Sequence, residues 1–471
     1  MLLSLLLEDV EVLNEYVDAE ISDVTDKSNS ITQNCAFVCV KGARFDGHSV
    51  AQQVLREGAA CVITERDLGL SNQVIVNNTR EAYALMCKNL FGRSVDKLNV
   101  IGITGTNGKT TTAFVIKDML KKLGVESGLI GTVKNMIGEK DFHTELTTPD
   151  PYEMHRLFSL MVEAGLKICV METSSQAFHQ KRLAGITFDV GVFTNLTQDH
   201  LDYHGTIDEY KKCKKELFYN SKTAVFNNDD EASEYMSEGI SIPACSYSVN
   251  NASDYKAENI ELFSDRVEYD LGDERIVFHI PGDFSVYNSL AAICAMRMIG
   301  YTDTEVAEAI KTAGSVSGRL EVLQTNTDFS VIIDYAHSPD GLEKAINAVR
   351  GFTKGRVITL FGCGGDRDKT KRPKMGAIAA ELSDIVVVTT DNPRTEVPEE
   401  IIKDILVGTE NRKAKIVTVV DRSEAIAKAI SIAGKGDSVL LAGKGHETYQ
   451  VIGKERFHYD EREVVASILN K

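Results

Sequence analysis

An α/β chain of three domains, with a mostly parallel sheet at its centre, is predicted by three features. These are the chain's length, the alternation of short apolar runs with helical patterns, and a glycine-rich turn set between one such run and a helix. At 471 residues the chain exceeds the roughly 250–300 residues at which a single core stops growing. Strands that alternate with helices favour a parallel sheet covered on both faces.

The elements follow in order. The opening Met1-Leu2-Leu3-Ser4-Leu5-Leu6-Leu7 has no basic flank and meets Glu8, Asp9 and Glu11, so it predicts a short buried helix rather than an export signal. Apolar runs at 36–40, 60–63 and 74–76, with helical patterns at 50–57 and 80–91, make a small α/β unit. The polar stretch 92–97 reads as a linker. A second alternation opens with a strand at 99–103 and a helix at 109–123 and continues with strands at 168–171, 190–193 and 224–226. After a break near 319–323 a third alternation places strands at 331–333, 357–360, 385–388, 416–419 and 439–441. Asp460 and Glu463 have the spacing of an N-cap and N3 pair for a last helix. The domain limits implied are 1–96, 97–321 and 322–471.

Composition narrows the class of partner. A hydrophobic share of 43% and a charged share of 26% belong to an ordinary folded protein without low-complexity tails. A formal charge of −17 disfavours nucleic acid and anionic lipid as partners. No segment reaches the roughly 18–20 apolar residues that cross a bilayer, so no membrane insertion is expected. The nine scattered cysteines, with no Cys-x-x-Cys pair, fit reduced thiols in a cytoplasm.

Gly102-Ile-Thr-Gly-Thr-Asn-Gly-Lys-Thr110 lies between a strand and a helix, the context of a phosphate loop. Glycines let consecutive backbone N–H groups turn toward one anion, the helix N-terminus adds positive potential, Lys109 offsets β/γ charge and Thr110 can ligate Mg²⁺. The loop is a variant, with Ile103 at the usual first glycine. By itself it implies a nucleotide and leaves motor, kinase, switch and ligase open.

Open α/β sheets bind ligands beyond the carboxyl ends of their strands. Glu172, His200 and Asp334 fall there; Glu172 and His200 are candidate ligands for a second Mg²⁺, against readings as a helix cap and a turn residue. The run Lys211-Lys-Cys-Lys-Lys215 reads by default as a solvated basic face. Strand-following segments Gly362-Cys-Gly-Gly-Asp-Arg-Asp368, Asp391-Asn-Pro-Arg394 and Gly443-Lys-Gly-His-Glu447 offer two arginines and a glutamate. Such a set suits a zwitterionic, amino-acid-like substrate.

Taken together with Thr147-Thr-Pro149, Met171-Glu-Thr-Ser-Ser175, Asn195-Leu-Thr-Gln-Asp-His-Leu-Asp-Tyr-His-Gly205 and Asp334-Tyr-Ala-His337, these segments resemble the Mur ligase family, in the family's order and over nearly the whole chain. The resemblance implies an N-terminal domain for the UDP end of a substrate, a central ATPase and a C-terminal Rossmann-like domain for an amino acid. It implies Gly105, Thr106, Asn107, Gly108, Lys109, Thr110, Thr111, Asn288, Arg319 and Asp334 at ATP. It implies Ser28, Thr147, Thr148, Ser174, Gln180 and Arg182 at UDP-N-acetylmuramoyl-L-Ala-D-Glu. Arg367, Asp391, Asn392, Pro393, Arg394, Gly443 and Glu447 match the amino-acid pocket, and the Asp-Asn-Pro-Arg form resembles members that take meso-diaminopimelate. Lys214 matches the family's carbamylated lysine, which replaces the solvated reading at that position. Lys109, Glu172, His200 and Lys214 are thus implied as catalytic, with Thr110, Glu172, His200 and carbamylated Lys214 at Mg²⁺.

The activity so implied is ATP-dependent, ADP-forming amide ligation through an acyl phosphate, by a cytoplasmic monomer in peptidoglycan precursor synthesis, with domain closure keeping water out. Lys27-Ser28-Asn29 departs from the family's usual Asp-Ser-Arg, and Leu146 from an asparagine found in some relatives. Rivals are a folate polyglutamate synthetase, disfavoured by the α/β unit before residue 97, and a lysine-adding ligase, disfavoured by Arg394. A nucleotide-gated binding protein that lost its chemistry is disfavoured by Lys109, Glu172, His200 and Lys214.

Overall fold

The computed structural model describes residues 1–42, 45–199, 201–314 and 316–469. They divide into two compact units, residues 1–254 with 291–302, and residues 255–290 with 303–471.

In the first unit the N-terminal segment forms a four-stranded sheet in the order Val24–Thr25, Ala36–Val38, Cys61–Thr64 and Gln73–Ile75, parallel throughout. One face is packed by Leu3, Leu6 and Leu7 of the opening segment and by Ala82, Tyr83 and Met86; the other by Phe37, Val54 and Val62. Leu3–Leu6 is thus a short helix, but only half buried: Leu3 and Leu6 face the sheet while Ser4 and Leu5 are exposed. Helix Thr79–Leu90 starts at Asn78, whose side chain accepts from the N–H groups of Arg80 and Glu81, the satisfaction that an N-cap supplies.

The larger sheet of this unit runs Ala244–Ser248, Ser221–Asn227, Phe188–Phe193, Asn99–Thr104, Ile168–Glu172, Ser127–Ile130, Asn135–Ile137 and Lys140–Phe142. It is parallel as far as Ser127–Ile130 and antiparallel beyond. The sequence pattern missed its last three strands and the edge strand Ala244–Ser248. Gly128 weakens the local signal, yet the strand needs it: a Cβ there would lie 2.3 Å from Met161 Sδ, so a helix side chain fills that space.

The second unit has a three-stranded antiparallel sheet, Glu258–Leu262, Val267–Leu271 and Glu274–Phe278. Its six-stranded sheet has the order Glu321–Leu323, Ser330–Asp334, Ser438–Ala442, Val357–Phe361, Ile385–Val388, Lys415–Thr418. Only Glu321–Leu323 is antiparallel. The expected break at 319–323 therefore includes an edge strand, too short and mixed in polarity to announce itself. Apolar clusters around Ile346, Met375 and Leu440 and around Ile358, Ile426 and Leu441 cover the two faces. Because the Ser438–Ala442 strand returns between the first two parallel strands, the segments after Asp334, Phe361, Val388 and Ala442 gather at one edge. The last helix is Glu461–Leu469. Asp460 accepts from Arg462 N–H at 2.9 Å, while Glu463 turns away to the His458 ring at 2.8 Å, so the expected reciprocal capping is only half formed.

His155, on helix Pro151–Glu163, is 1% exposed, and its Nε2 has no hydrogen-bond partner among the described residues. Burial holds its pKa at about 3, below the ordinary 6.5. The unfolded chain thus binds a proton that the folded one refuses. The His155 contribution is fully present above the ordinary value and lost as pH falls toward the folded one. Wild type should lose more stability than His155→Phe across that window, by about 3 kcal/mol near pH 4, in urea titrations read by circular dichroism.

Candidate active site

The phosphate loop is shaped by backbone needs. Gly105 has φ +150°, and a Cβ there would fall 1.9 Å from Thr194 Oγ1, so only glycine fits. Gly108, at φ +85°, starts helix Lys109–Lys122 with no capping side chain, which directs the positive helix end to the loop. The segment after strand Phe188–Phe193 clamps the loop: Asn195 O accepts from Thr106 N–H at 2.8 Å and Asn195 Oδ1 from Asn107 N–H at 2.9 Å. Lys109 Nζ donates to the carbonyls of Gly105 and Thr106 at 2.8 and 3.0 Å.

Glu172 ends its strand 1% exposed. Its carboxylate accepts from Thr110 Oγ1 at 2.9 Å, from Thr132 Oγ1 at 3.0 Å and from Thr132 N–H at 2.8 Å. It is therefore not a helix cap; the cap of Ser175–His179 is Ser174. Thr148 Oγ1 donates to Glu172 O at 2.9 Å and accepts from Ser174 N–H at 2.9 Å. Arg182 donates to Thr148 O at 2.9 Å and to Gln180 Oε1.

Helix Ile207–Tyr219 is capped by Thr206 and carries Lys214 inward. Lys214 is 1% exposed, and Lys215 only 7%, so the solvated reading of this basic run fails at both. Lys215 packs over the Tyr235 ring at 4.6 Å. Lys214 Nζ donates to Gly105 O at 2.7 Å and lies 4.4 Å from the Tyr210 ring centroid. Burial, and then the charge of Lys109, push its pKa well below the ordinary lysine value, favouring the neutral amine.

Of these groups Lys109, Thr148, Ser174, Gln180, Arg182, Tyr210 and Lys214 meet at one cavity of about 360 Å³, lined also by Leu146, Thr147, Ser175 and Gln176. The predicted Ser28 is half-buried on a turn and is not in that lining. His200 lies outside the described residues. Among the described residues no group of three or more His, Cys, Asp or Glu side chains could hold a metal ion. The adjoining oxygens of Thr110 and Glu172 form a hard donor pair instead. Sequence reasoning missed Thr132, Gln176 and Tyr210; the Gly131-Thr132 pair directly after an apolar run was the available signal for the first.

In the second unit Asp334 accepts from Leu320 and Ala336 N–H, each at 2.8 Å, and burial raises its pKa. Arg319 lies over the Tyr335 ring at 5.1 Å. Asn288 is buried on helix Asp283–Met298. Asp391 and Asn392 are buried, Gly443 N–H donates to Asp334 O at 3.0 Å, and Asn392 Nδ2 donates to Glu447 Oε2 at 2.9 Å. Arg394, after Pro393, adopts φ +50°, held by its N–H to Val451 O at 3.1 Å and by its guanidinium to Gly365 O at 2.8 Å. Arg367 is exposed on the adjoining loop. That loop is tied down by Glu396, which accepts from Asp366 N–H at 2.7 Å and pairs with buried Arg372 at 2.9 Å; the Arg372 contact leads the effects that hold the Glu396 carboxyl down at about 2. The buried charges Arg372, Arg422, Lys444 and Glu461 were not singled out from sequence, because side chains of their kind usually face water.

Comparison with known proteins bears on what this arrangement serves. Residues 20–88 match the Mur ligase family catalytic domain, 103–296 the Mur ligase middle domain and 318–445 the Mur ligase glutamate ligase domain. The UDP-N-acetylmuramoyl-L-alanyl-D-glutamate–2,6-diaminopimelate ligase of Clostridium perfringens is 43% identical over 486 residues, spanning 100% of this chain and 99% of the relative. A solved structure of a ligase of that same name superposes with a TM-score of 0.71 at 29% identity, over 96% of this chain and 95% of the other. The MurF ligase of Thermotoga maritima, solved in complex with ADP, shares the fold, with a TM-score of 0.60 at 19% identity over 95% and 96% of the two chains. Matched along its length by these domains and by so similar a relative, the chain belongs to the Mur ligase family.

Proposed function

We propose that the chain joins meso-2,6-diaminopimelate to the γ-carboxylate of D-glutamate in UDP-N-acetylmuramoyl-L-Ala-D-Glu, converting ATP to ADP and phosphate. The observation that carries this reading is the cavity in which Lys109 and Lys214 meet Thr147, Thr148, Ser174, Gln180 and Arg182. It offers a phosphate loop and a polar cradle for an acidic substrate in one space. The 43% identity to a ligase of that name over the full chain supports the same reaction.

In this reading the γ-carboxylate oxygen attacks the γ-phosphorus and ADP leaves. The diaminopimelate amine then attacks the acyl carbon, phosphate departs, and the nitrogen loses a proton. Lys109 and the loop N–H groups offset charge on the transferring group by position rather than by covalent chemistry. Thr110, Glu172 and the carbamate of Lys214 would hold Mg²⁺, with His200 in the role that the resemblance assigns. The 2.9 Å approach of Thr110 Oγ1 to Glu172 Oε2 fits a hard, oxygen-liganded cation. When bound, that cation supplies further charge against the phosphoryl oxygens. Asn288, Arg319 and Asp334 are assigned to ATP, Ser28 to the UDP end, and Arg367, Asp391, Asn392, Pro393, Arg394, Gly443 and Glu447 to diaminopimelate. The domain limits at 96/97 and 321/322 follow the same division. Nine unpaired cysteines, eight of them buried, support a cytoplasmic protein, which we assign as a monomer.

Purified protein given ATP, the UDP-dipeptide and either diaminopimelate or lysine should yield the diaminopimelate tripeptide by mass spectrometry; exclusive addition of lysine would refute the assignment. Arg394→Ala should raise the KM for diaminopimelate by about 10–100-fold, through loss of a bidentate grip on a carboxylate. Undiminished selectivity over lysine in that variant counts against the pocket.

A further inference from the structure

We propose that Lys444 is a positioning residue: its buried ammonium orients Asn392, holds Glu447 as a carboxylate and anchors the strand that backs Arg394, so that one side chain sets the amino-acid pocket. The inference rests on the pocket assignment made above and adds to it a residue outside that set.

The Lys444 side chain is 0% exposed. Its Nζ donates to Tyr449 O at 2.8 Å and to Asn392 Oδ1 at 3.1 Å, and stands 3.5 Å from Glu447 Oε2. Asn392 Oδ1 also accepts from Val451 N–H at 3.0 Å. With two donors converging on its oxygen, the amide can take only one orientation, and its Nδ2 must face Glu447 Oε2. The opposite flip would set N–H against N–H and take from the half-buried Glu447 carboxylate its amide donor.

The second link runs through the hairpin of Tyr449–Ile452 with Glu455–His458. Arg394 N–H donates to Val451 O at 3.1 Å, and Gly453 N–H donates to Arg394 O at 2.8 Å. Lys444, by holding the Tyr449 carbonyl, anchors the strand on which the Arg394 backbone rests. The carboxylate for an ammonium and the guanidinium for a carboxylate are thereby referred to a single buried charge.

The third link is electrostatic. Glu447 faces Lys444, Asp391, Tyr335 and Tyr449; Lys444 in turn faces Asp391, Arg422, Glu461 and the Tyr459 ring, and burial lowers its pKa while Asp391, Glu447 and Glu461 hold its charge against that. Burial pushes the Glu447 carboxyl up, Asp391 pushes it further, and Lys444 opposes both. Without the ammonium, Glu447 takes up a proton at higher pH, and a neutral carboxyl holds a substrate ammonium poorly.

The test compares wild type with Lys444→Met across pH, measuring KM for diaminopimelate, ATP and the UDP-dipeptide by phosphate release. Expected is a rise of about tenfold or more in the diaminopimelate KM, with the other two KM values changed by less than about twofold. The acid limb of the diaminopimelate profile should move to higher pH, and in a Glu447→Gln background Lys444→Met should no longer move it. Equal rises in all three KM values, or an unmoved acid limb, overturn the proposal. If Lys444→Met does not fold by circular dichroism, Lys444→Gln replaces it with the same expectations; failure of both to fold assigns Lys444 to stability and overturns the positioning role. Wild type that consumes no diaminopimelate refutes the pocket assignment instead.

Discussion

Lys109→Ala is expected to abolish ADP release in the presence of both co-substrates, with a loss of about three orders of magnitude or more. Its ammonium holds the Gly105 and Thr106 carbonyls at the start of helix Lys109–Lys122, where phosphate charge is expected. The same variant has a second consequence. Lys109 is the largest charge effect depressing the Lys214 pKa after burial, so its removal leaves Lys214 more often protonated. Raising the pH should therefore recover none of the transfer step in Lys109→Ala but should restore the neutral amine at Lys214. Coupled measurement of ADP release checks the first point, and substrate-dependent turnover surviving in the variant refutes the role of Lys109.

Lys214→Met is expected to cost about two to three orders of magnitude in phosphoryl transfer, while binding of the UDP-dipeptide persists. The amine is buried, 2.7 Å from Gly105 O, and its pKa is pushed well down. A neutral amine is the nucleophile that adds to CO₂: the nitrogen–carbon bond forms, the proton leaves, and an anionic oxygen donor replaces a neutral nitrogen. Wild-type activity should therefore fall in CO₂-free buffer and return on addition of bicarbonate, whereas Lys214→Met should respond to neither. Native mass spectrometry should show the added carboxyl in wild type alone. An unchanged wild-type rate after CO₂ removal, with no added mass in either protein, would sink the carbamate assignment.

Arg394 shows how reading the chain and seeing it folded divide the work. Asp391-Asn-Pro-Arg394 was recognisable because it follows a strand and carries a charge pattern suited to a zwitterion. That Arg394 takes a left-handed backbone conformation braced by Val451 and Gly365 depends on segments far away in the chain. Lys214 was assigned through resemblance alone, since its neighbours in sequence look like a solvated helix face. Lys215, with no such help, was misread: it packs over the Tyr235 ring, and nothing in a run of lysines announces an aromatic ring from another helix.

By itself the amino-acid sequence determined the alternation of strands and helices, the phosphate loop and the strand ends that bear Glu172, Asp334, Asp391 and Gly443. Strand periodicity, the backbone freedom needed at Gly105 and the helix start at Lys109 are local properties, written within a few residues. Only the tertiary structure decided that Lys109 and Lys214 share a cavity with Leu146, Gln180 and Arg182, that Glu172 binds Thr110 and Thr132 rather than capping a helix, and that Lys444 lies beneath Asn392 and Glu447. Most of these are side-chain meetings between segments distant in the chain, around groups as buried as Glu172, Lys214 and Lys444. There the cost of an unpaired charge selects the partner, and that selection exists only once the sheets have brought the segments together.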